Sequence, residues 1–180
     1  MTAAQAELAH DRHADGTDTE PKLDRPRVED GAAIWRIARD SGALDLNSSY
    51  AYLLWCRDFA RTSVVVRGAD GEPVGFTTGY IRPERPDTLV VWQVAVDDSQ
   101  RGRGLAAAML DALAERLRPH GVRQVETTIS PDNTASNRLF TSFGERHRAA
   151  VEREVLFHGG LFPDEHEPEV LYRIGPLARD

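Results

Sequence analysis

Residues 101–104 read Arg-Gly-Arg-Gly and stand between an apolar segment at 89–96 and a run at 105–117 with apolar residues at helical spacing. Glycine at 102 and 104 permits backbone dihedrals and close approaches that a side chain blocks. Several amide N–H groups can then converge at the start of a helix, where the dipole favours anions. Arg101 and Arg103 set two cations beside that opening, in a chain whose formal charge is −7. The chemistry implied is capture of a phosphate-bearing ligand; the alternative that glycines alone allow is a tight strand-to-helix turn. The familiar nucleotide patterns fail. No Lys-Ser/Thr pair follows the last glycine, as a P-loop requires, and three glycines at dinucleotide spacing with a later ribose-binding acid are absent.

The flanking sequence supplies elements to hold this loop. The run Leu89-Val90-Val91-Trp92-Gln93-Val94-Ala95-Val96 predicts a central strand buried on both faces. Leu105, Met109, Leu110, Leu113 and Leu117 predict an amphipathic helix ending near Pro119 and Gly121. Upstream, Asp30 is placed to cap a short helix carrying Ile34, Trp35, Ile37 and Ala38, and Ser48 or Ser49 to cap a second with Leu53, Leu54, Cys56 and Phe59. The β-branched run at 62–67, the turn at 69–72 and the segment 74–81 predict a hairpin. Downstream, 122–129 reads as a strand, 133–143 as a helix closed by Gly144, and 169–174 as a last strand.

Composition narrows the function classes. At 180 residues the chain is sized for one domain, and 41% hydrophobic with 28% charged residues is ordinary for a globular protein. No apolar run reaches membrane-spanning length, and the first residues lack the basic start and apolar stretch of a secretory signal, so no membrane role and a cytoplasmic address are expected. The acidic balance argues against nucleic acid as partner. Residues 1–30 hold eight acids and four bases, more than half of the net charge. With Pro21 and Pro26 as breakers, 1–29 reads as a disordered or loosely docked acidic arm that activity should tolerate losing, and 30–180 as the domain. One cysteine, Cys56, excludes a disulfide framework, and His147 and His158 have no metal partners at ligand spacing, so no metal is expected.

The segment Arg101-Gly102-Arg103-Gly104-Leu105-Ala106 resembles the coenzyme-A motif of the GNAT superfamily of acetyltransferases. A second block of that family is matched by Asn133-Thr134-Ala135-Ser136-Asn137-Arg138-Leu139-Phe140-Thr141-Ser142-Phe143-Gly144. The resemblance covers roughly residues 30–175. It implies the GNAT fold, an α/β (α+β) arrangement with a mixed central sheet of about six to seven strands flanked by about four helices. It implies acetyl-coenzyme A as cosubstrate, with pyrophosphate on the amides of 101–106, the pantetheine arm along Val94, Ala95 and Val96, and Asn137 nearby. Many members carry a tyrosine where this chain has Phe140, and its hydroxyl is the usual proton donor to the leaving thiolate. Phe140 cannot donate, so another hydroxyl, a water, or unassisted departure of a thiolate of pKa about 8.5 takes its place.

Two further segments, 44–56 (LDLNSSYAYLLWC) and 169–174 (EVLYRI), are similar to the branch of the superfamily that acetylates the 4-amino group of L-2,4-diaminobutyrate in ectoine biosynthesis. That amino acid carries two ammonium groups and one carboxylate, so its site needs an acid for the amine that does not react. Asp45 is the candidate, or a cap before the second helix. Trp92, two residues before Val94, is expected on that residue's face as a wall or cation–π surface, or as core. Glu169 and His166 are candidates to reach the acceptor or relay a proton, unless 164–167 is only a solvated loop. Asn133 is an acceptor contact or an N-cap, and Tyr50 and Tyr52 offer hydroxyls. The resemblance also implies a homodimer. Rival readings are a transferase acting on another small diamine or amino acid, and a non-catalytic acyl-coenzyme-A sensor.

Overall fold

A computed structural model describes residues 21–163 and 167–178. Its sheet is built from β1 (Lys22–Asp24), β2 (Val64–Arg67), β3 (Pro73–Arg82), β4 (Arg85–Val96), β5 (Gln124–Ile129), β6 (Ala150–Phe157) and β7 (Glu169–Gly175), in the order β1-β2-β3-β4-β5-β7-β6. Four helices flank it: α1 (Gly31–Ser41), α2 (Ser49–Asp58), α3 (Leu105–Leu117) and α4 (Thr134–Arg146). The alternation of Val64, Val65 and Val66 shows how the layers form. Val64 and Val66 join a core with Met109, Leu113, Phe140 and Phe143 of α3 and α4, while Val65 joins Ile34, Ile37, Tyr52 and Cys56 of α1 and α2. The two helix pairs therefore cover opposite faces, as period-two side-chain alternation requires.

One pairing is parallel, and it is short. Thr88, Leu89 and Val90 of β4 pair with Gln124, Val125 and Glu126 of β5. The rest of β4 runs on to Val96 against β3 alone, while β5 continues to Ile129 against β7. The two central strands thus part in the middle of the sheet and leave β4 with main-chain groups on its β5 side that no ladder uses.

Three expectations are corrected, and one strand goes beyond them. Residues 21–29, read as part of the arm, belong to the domain: Lys22–Asp24 pairs antiparallel with β2, because Leu23 packs on the α3–α4 core and Asp24 meets the Arg67 guanidinium at 3.7 Å. The remainder of the arm lies outside the described residues. Asp30 does not cap α1 with its side chain; it is buried and holds Arg67 through two bonds of 2.9 Å. Gly144 does not close α4, which continues to Arg146. Its missing side chain instead admits Val151, whose Cγ2 an added Cβ would strike. Strand β6 was not anticipated, since its residues are largely exposed and alternate charged with apolar types too weakly to mark a core face.

The Asp30–Arg67 pair predicts a pH-dependent stability. Burial alone would raise the Asp30 pKa, but hydrogen bonds from Arg67 and the Arg27 amide, with the charges of both arginines, outweigh it and hold the carboxyl below its ordinary value. A group depressed on folding stabilises above its unfolded pKa, near 4, and loses that contribution as pH falls through the folded value. Asp30→Asn should cost about 3 kcal/mol in urea unfolding at pH 7. The deficit should shrink toward zero as acid protonates Asp30 in the parent protein.

Candidate active site

The loop at 98–104 is built from its strand outward. Asp97 follows β4, its carboxylate accepts from Arg36 of α1 at 2.9 Å and from the Ser99 amide, and the pairing with Arg36 holds it below the ordinary carboxylate range. The chain then makes a short turn at Asp98–Gln100 and enters α3 through two left-handed glycines, Gly102 at φ 78° and Gly104 at φ 73°. A Cβ added at either would meet nothing within 4 Å, so the space over this loop is open to a ligand. The first-turn amides of α3 have no intrahelical acceptor. Arg101 meets Asp98 at 2.7 Å and Arg103 bonds Gln100, both among exposed side chains that can re-pair with phosphate oxygens. Two left-handed glycines, two exposed arginines and the start of α3, which Leu105 and Ala106 open, thus stand together in this loop.

On the α1–α2 side, the end of the β4–β5 ladder opens a cavity of about 980 Å³. Its wall is aromatic and aliphatic: Leu54 and Trp55 from α2, Phe59 just after it, Tyr80 from β3, Val90 and Trp92 from β4, and Leu156 and Phe157 from β6. Trp55 packs on Trp92 with centroids 4.7 Å apart and on Phe59 at 4.5 Å. Two cations and two acids break this wall: Arg82, Arg173, Glu126 and Glu154. Glu126 is buried, 3% exposed, and takes Arg82 at 2.8 Å and Arg173 at 3.2 Å.

Trp92 is where a wall was expected, but not on the face of Val94. The β3–β4 register shifts between Thr78 and Gly79, pairing Thr78 with Gln93 and Gly79 with Val91, so Trp92 is the extra residue of a bulge. The bulge reverses the alternation. Val94 packs on the α3–α4 core, whereas Trp92 turns to α2 and remains 48% exposed in the cavity. This also departs from the expectation of a strand buried throughout on both faces.

The other expected acceptor residues are more dispersed. Asp45 is exposed, and its carbonyl accepts from Gln93 Nε2 at 2.8 Å. Tyr50 is 65% exposed, one residue before Ala51 of the cavity wall. Glu169 starts β7 opposite Phe157 of the wall. None of the three is among the described residues lining the cavity, and His166 lies outside the described residues. Asn133 is an N-cap: its Oδ1 accepts from the Ser136 amide at 3.0 Å, away from the cavity. Asn137, expected at the cofactor, has its amide engaged within the protein. It donates to Asn133 O at 2.9 Å and accepts from the Tyr172 hydroxyl. Phe140 is core, 2% exposed. Among the described residues no group of three His, Cys, Asp or Glu is placed to hold a metal, and no helix is long and apolar enough to cross a membrane.

A chain of hydrogen bonds joins the Asp45 loop to β4. Tyr52 Oη donates to Gln93 Oε1 at 3.1 Å, and Gln93 Nε2 donates to the Asp45 carbonyl. Sequence reading missed Gln93, although a glutamine inside an otherwise apolar strand is itself a signal. Gln93→Leu leaves the Tyr52 hydroxyl and the Asp45 carbonyl without these partners and frees the loop. It should raise KM for the acceptor about 10-fold, from loss of a buried hydrogen-bond pair, while KM for the cosubstrate holds.

The profile of the acetyltransferase (GNAT) family matches residues 31–144. The chain is 66% identical over 180 residues to L-2,4-diaminobutyric acid acetyltransferase of Streptomyces coelicolor, covering 99% of this chain and 98% of that one. It is equally 66% identical to the enzyme of the same name from Streptomyces anulatus, covering 99% of each. Among solved structures it is similar to diaminobutyrate acetyltransferase EctA from Paenibacillus lautus in complex with its substrate L-2,4-diaminobutyric acid and coenzyme A. The TM-score is 0.84 and the identity 42%, over 89% of this chain and 98% of that chain.

Proposed function

The chain belongs to the GNAT family of acetyltransferases, and from that premise we propose that it moves the acetyl group of acetyl-coenzyme A to the 4-amino group of L-2,4-diaminobutyrate, as a cytoplasmic step of ectoine biosynthesis. The observation that carries this reading is the meeting of two features where the β4–β5 ladder ends. The anion cradle at Gly102–Gly104 lies beyond one end of the opened strand, and a cavity holding both signs of charge lies at the other. The named relatives support the choice of acceptor.

Both substrates bind before chemistry. The neutral 4-amino nitrogen attacks the thioester carbonyl carbon, the C–N bond forms, the C–S bond breaks, and the oxyanion that develops is held by a main-chain amide of β4 near Val94 or Ala95. Val94, Ala95 and Val96 sit on the stretch of β4 that pairs with β3 alone, which leaves its other edge for the pantetheine amides. An ammonium of pKa about 10 must first lose its proton. Glu169 is our candidate to take it through water, with His166 in the same role, and Tyr50 is our candidate to protonate the thiolate in place of Phe140. Asp45 and Trp92 hold the acceptor. Cys56 is no rival nucleophile: burial, with Asp30 and Glu29 nearby, pushes its thiol up to about 12. Direct transfer follows.

We include a homodimer in the proposal, supported by the edge position of β6 and the exposure of Val155, Leu156 and Phe157 along it; light scattering reads it directly. The reaction is tested by free-thiol release with acetyl-coenzyme A and 2,4-diaminobutyrate at varied concentrations of both. Intersecting initial-velocity lines are expected. Parallel lines would replace direct transfer with an acetyl-enzyme route, and absent release despite coenzyme binding would favour the sensor.

A further inference from the structure

The cavity contains more charge than acetyl transfer to an amine requires. Of its two cations, Arg173 faces three carboxylates: Glu126 at 3.2 Å, Glu154 at 3.0 Å and Glu152 at 3.7 Å. Arg82 bonds one of them, Glu126 at 2.8 Å, and its side chain is 43% exposed. A guanidinium carries five N–H donors, so Arg82 keeps donors for a second, planar acceptor. Its partner is fixed, because Glu126 is buried and gripped from the other side by Arg173. Arg82 is therefore an oriented cation at the cavity wall.

Resting on the diaminobutyrate reading, we propose that Arg82 receives the substrate's α-carboxylate, with Glu126 as the positioning residue that aims it. This pair then distinguishes an α-amino acid from a plain diamine. The geometry agrees with the direction of transfer. Glu126 pairs with Val90 at the last rung of the β4–β5 ladder, so a substrate anchored at Arg82 extends toward the opened strands beyond that rung. A carboxylate on a guanidinium also favours the charged head group over a neutral one, since charge-assisted pairs are the stronger hydrogen bonds.

The test compares kcat/KM for 2,4-diaminobutyrate with that for 1,3-diaminopropane, the same diamine without its carboxylate, in the parent protein, Arg82→Gln, Arg82→Lys and Glu126→Gln. Arg82→Gln should lower the preference for the amino acid about 10- to 100-fold, the loss entering through KM for that substrate, with diaminopropane changed less than about twofold. Arg82→Lys should recover part of the preference, and Glu126→Gln should lose it while KM for acetyl-coenzyme A holds. If Arg82→Gln lowers turnover of both amines equally, or leaves the preference intact, the assignment is wrong. If the parent protein ignores 2,4-diaminobutyrate, the underlying reading fails instead. Should the parent leave diaminopropane untouched, the KM-against-kcat split for diaminobutyrate decides: a loss confined to kcat overturns the proposal.

Discussion

Replacing Gly104 by valine is expected to raise KM for acetyl-coenzyme A at least ~100-fold, the sum of left-handed strain and one lost charge-assisted hydrogen bond. Gly104 is the N-cap of α3 at φ 73°, with open space where a side chain would project. A β-branched residue there resists the dihedral that turns the first amides outward and fills the space a phosphate would occupy. Gly42 provides the control. It ends α1 at φ 61°, also with nothing within 4 Å of an added Cβ, so Gly42→Val imposes similar strain away from the loop. It should lower stability by about 1–2 kcal/mol and leave KM for the cosubstrate unchanged. Equal KM effects in the two variants would reduce the loop's role to folding.

The second large effect is expected at Trp92. Trp92→Ala removes a half-exposed indole that packs on Trp55 and faces the cavity. It should lower kcat/KM for 2,4-diaminobutyrate about 30-fold, near the 2 kcal/mol a desolvated cation–π contact supplies, and Trp92→Phe should retain part of the rate. Because the indole is not core, the melting temperature should move little. A large loss of stability with unchanged kinetics would return Trp92 to the packing role that the sequence also allowed.

These two residues show what was legible in advance. The geometry of the glycine loop was readable because its parts are contiguous: strand, two glycines, two arginines and helix start lie within fourteen residues of chain, and local propensities agree there. The cavity proposed for the acceptor was not, because Arg82, Glu126, Glu154 and Arg173 come from four different strands, each an unremarkable surface-type residue in its own segment. Trp92 was identified but assigned the wrong face, since one bulged residue reverses the parity of everything beyond it. Asp30 and Gly144 were read by local rules for caps, and long-range partners, Arg67 and Val151, decided their roles instead. Tyr172 escaped notice as part of a similar segment, yet its hydroxyl donates to Asn137, three residues before Phe140 on α4.

The acceptor and its reacting nitrogen are tested most directly by a thiol-release assay over 2,4-diaminobutyrate, ornithine, lysine and a polyamine, with mass spectrometric assignment of the product. The expected result is a clear preference for diaminobutyrate and acetylation at its 4-amino group; preference for another amine, or acetylation at the α-amino group, would contradict the account.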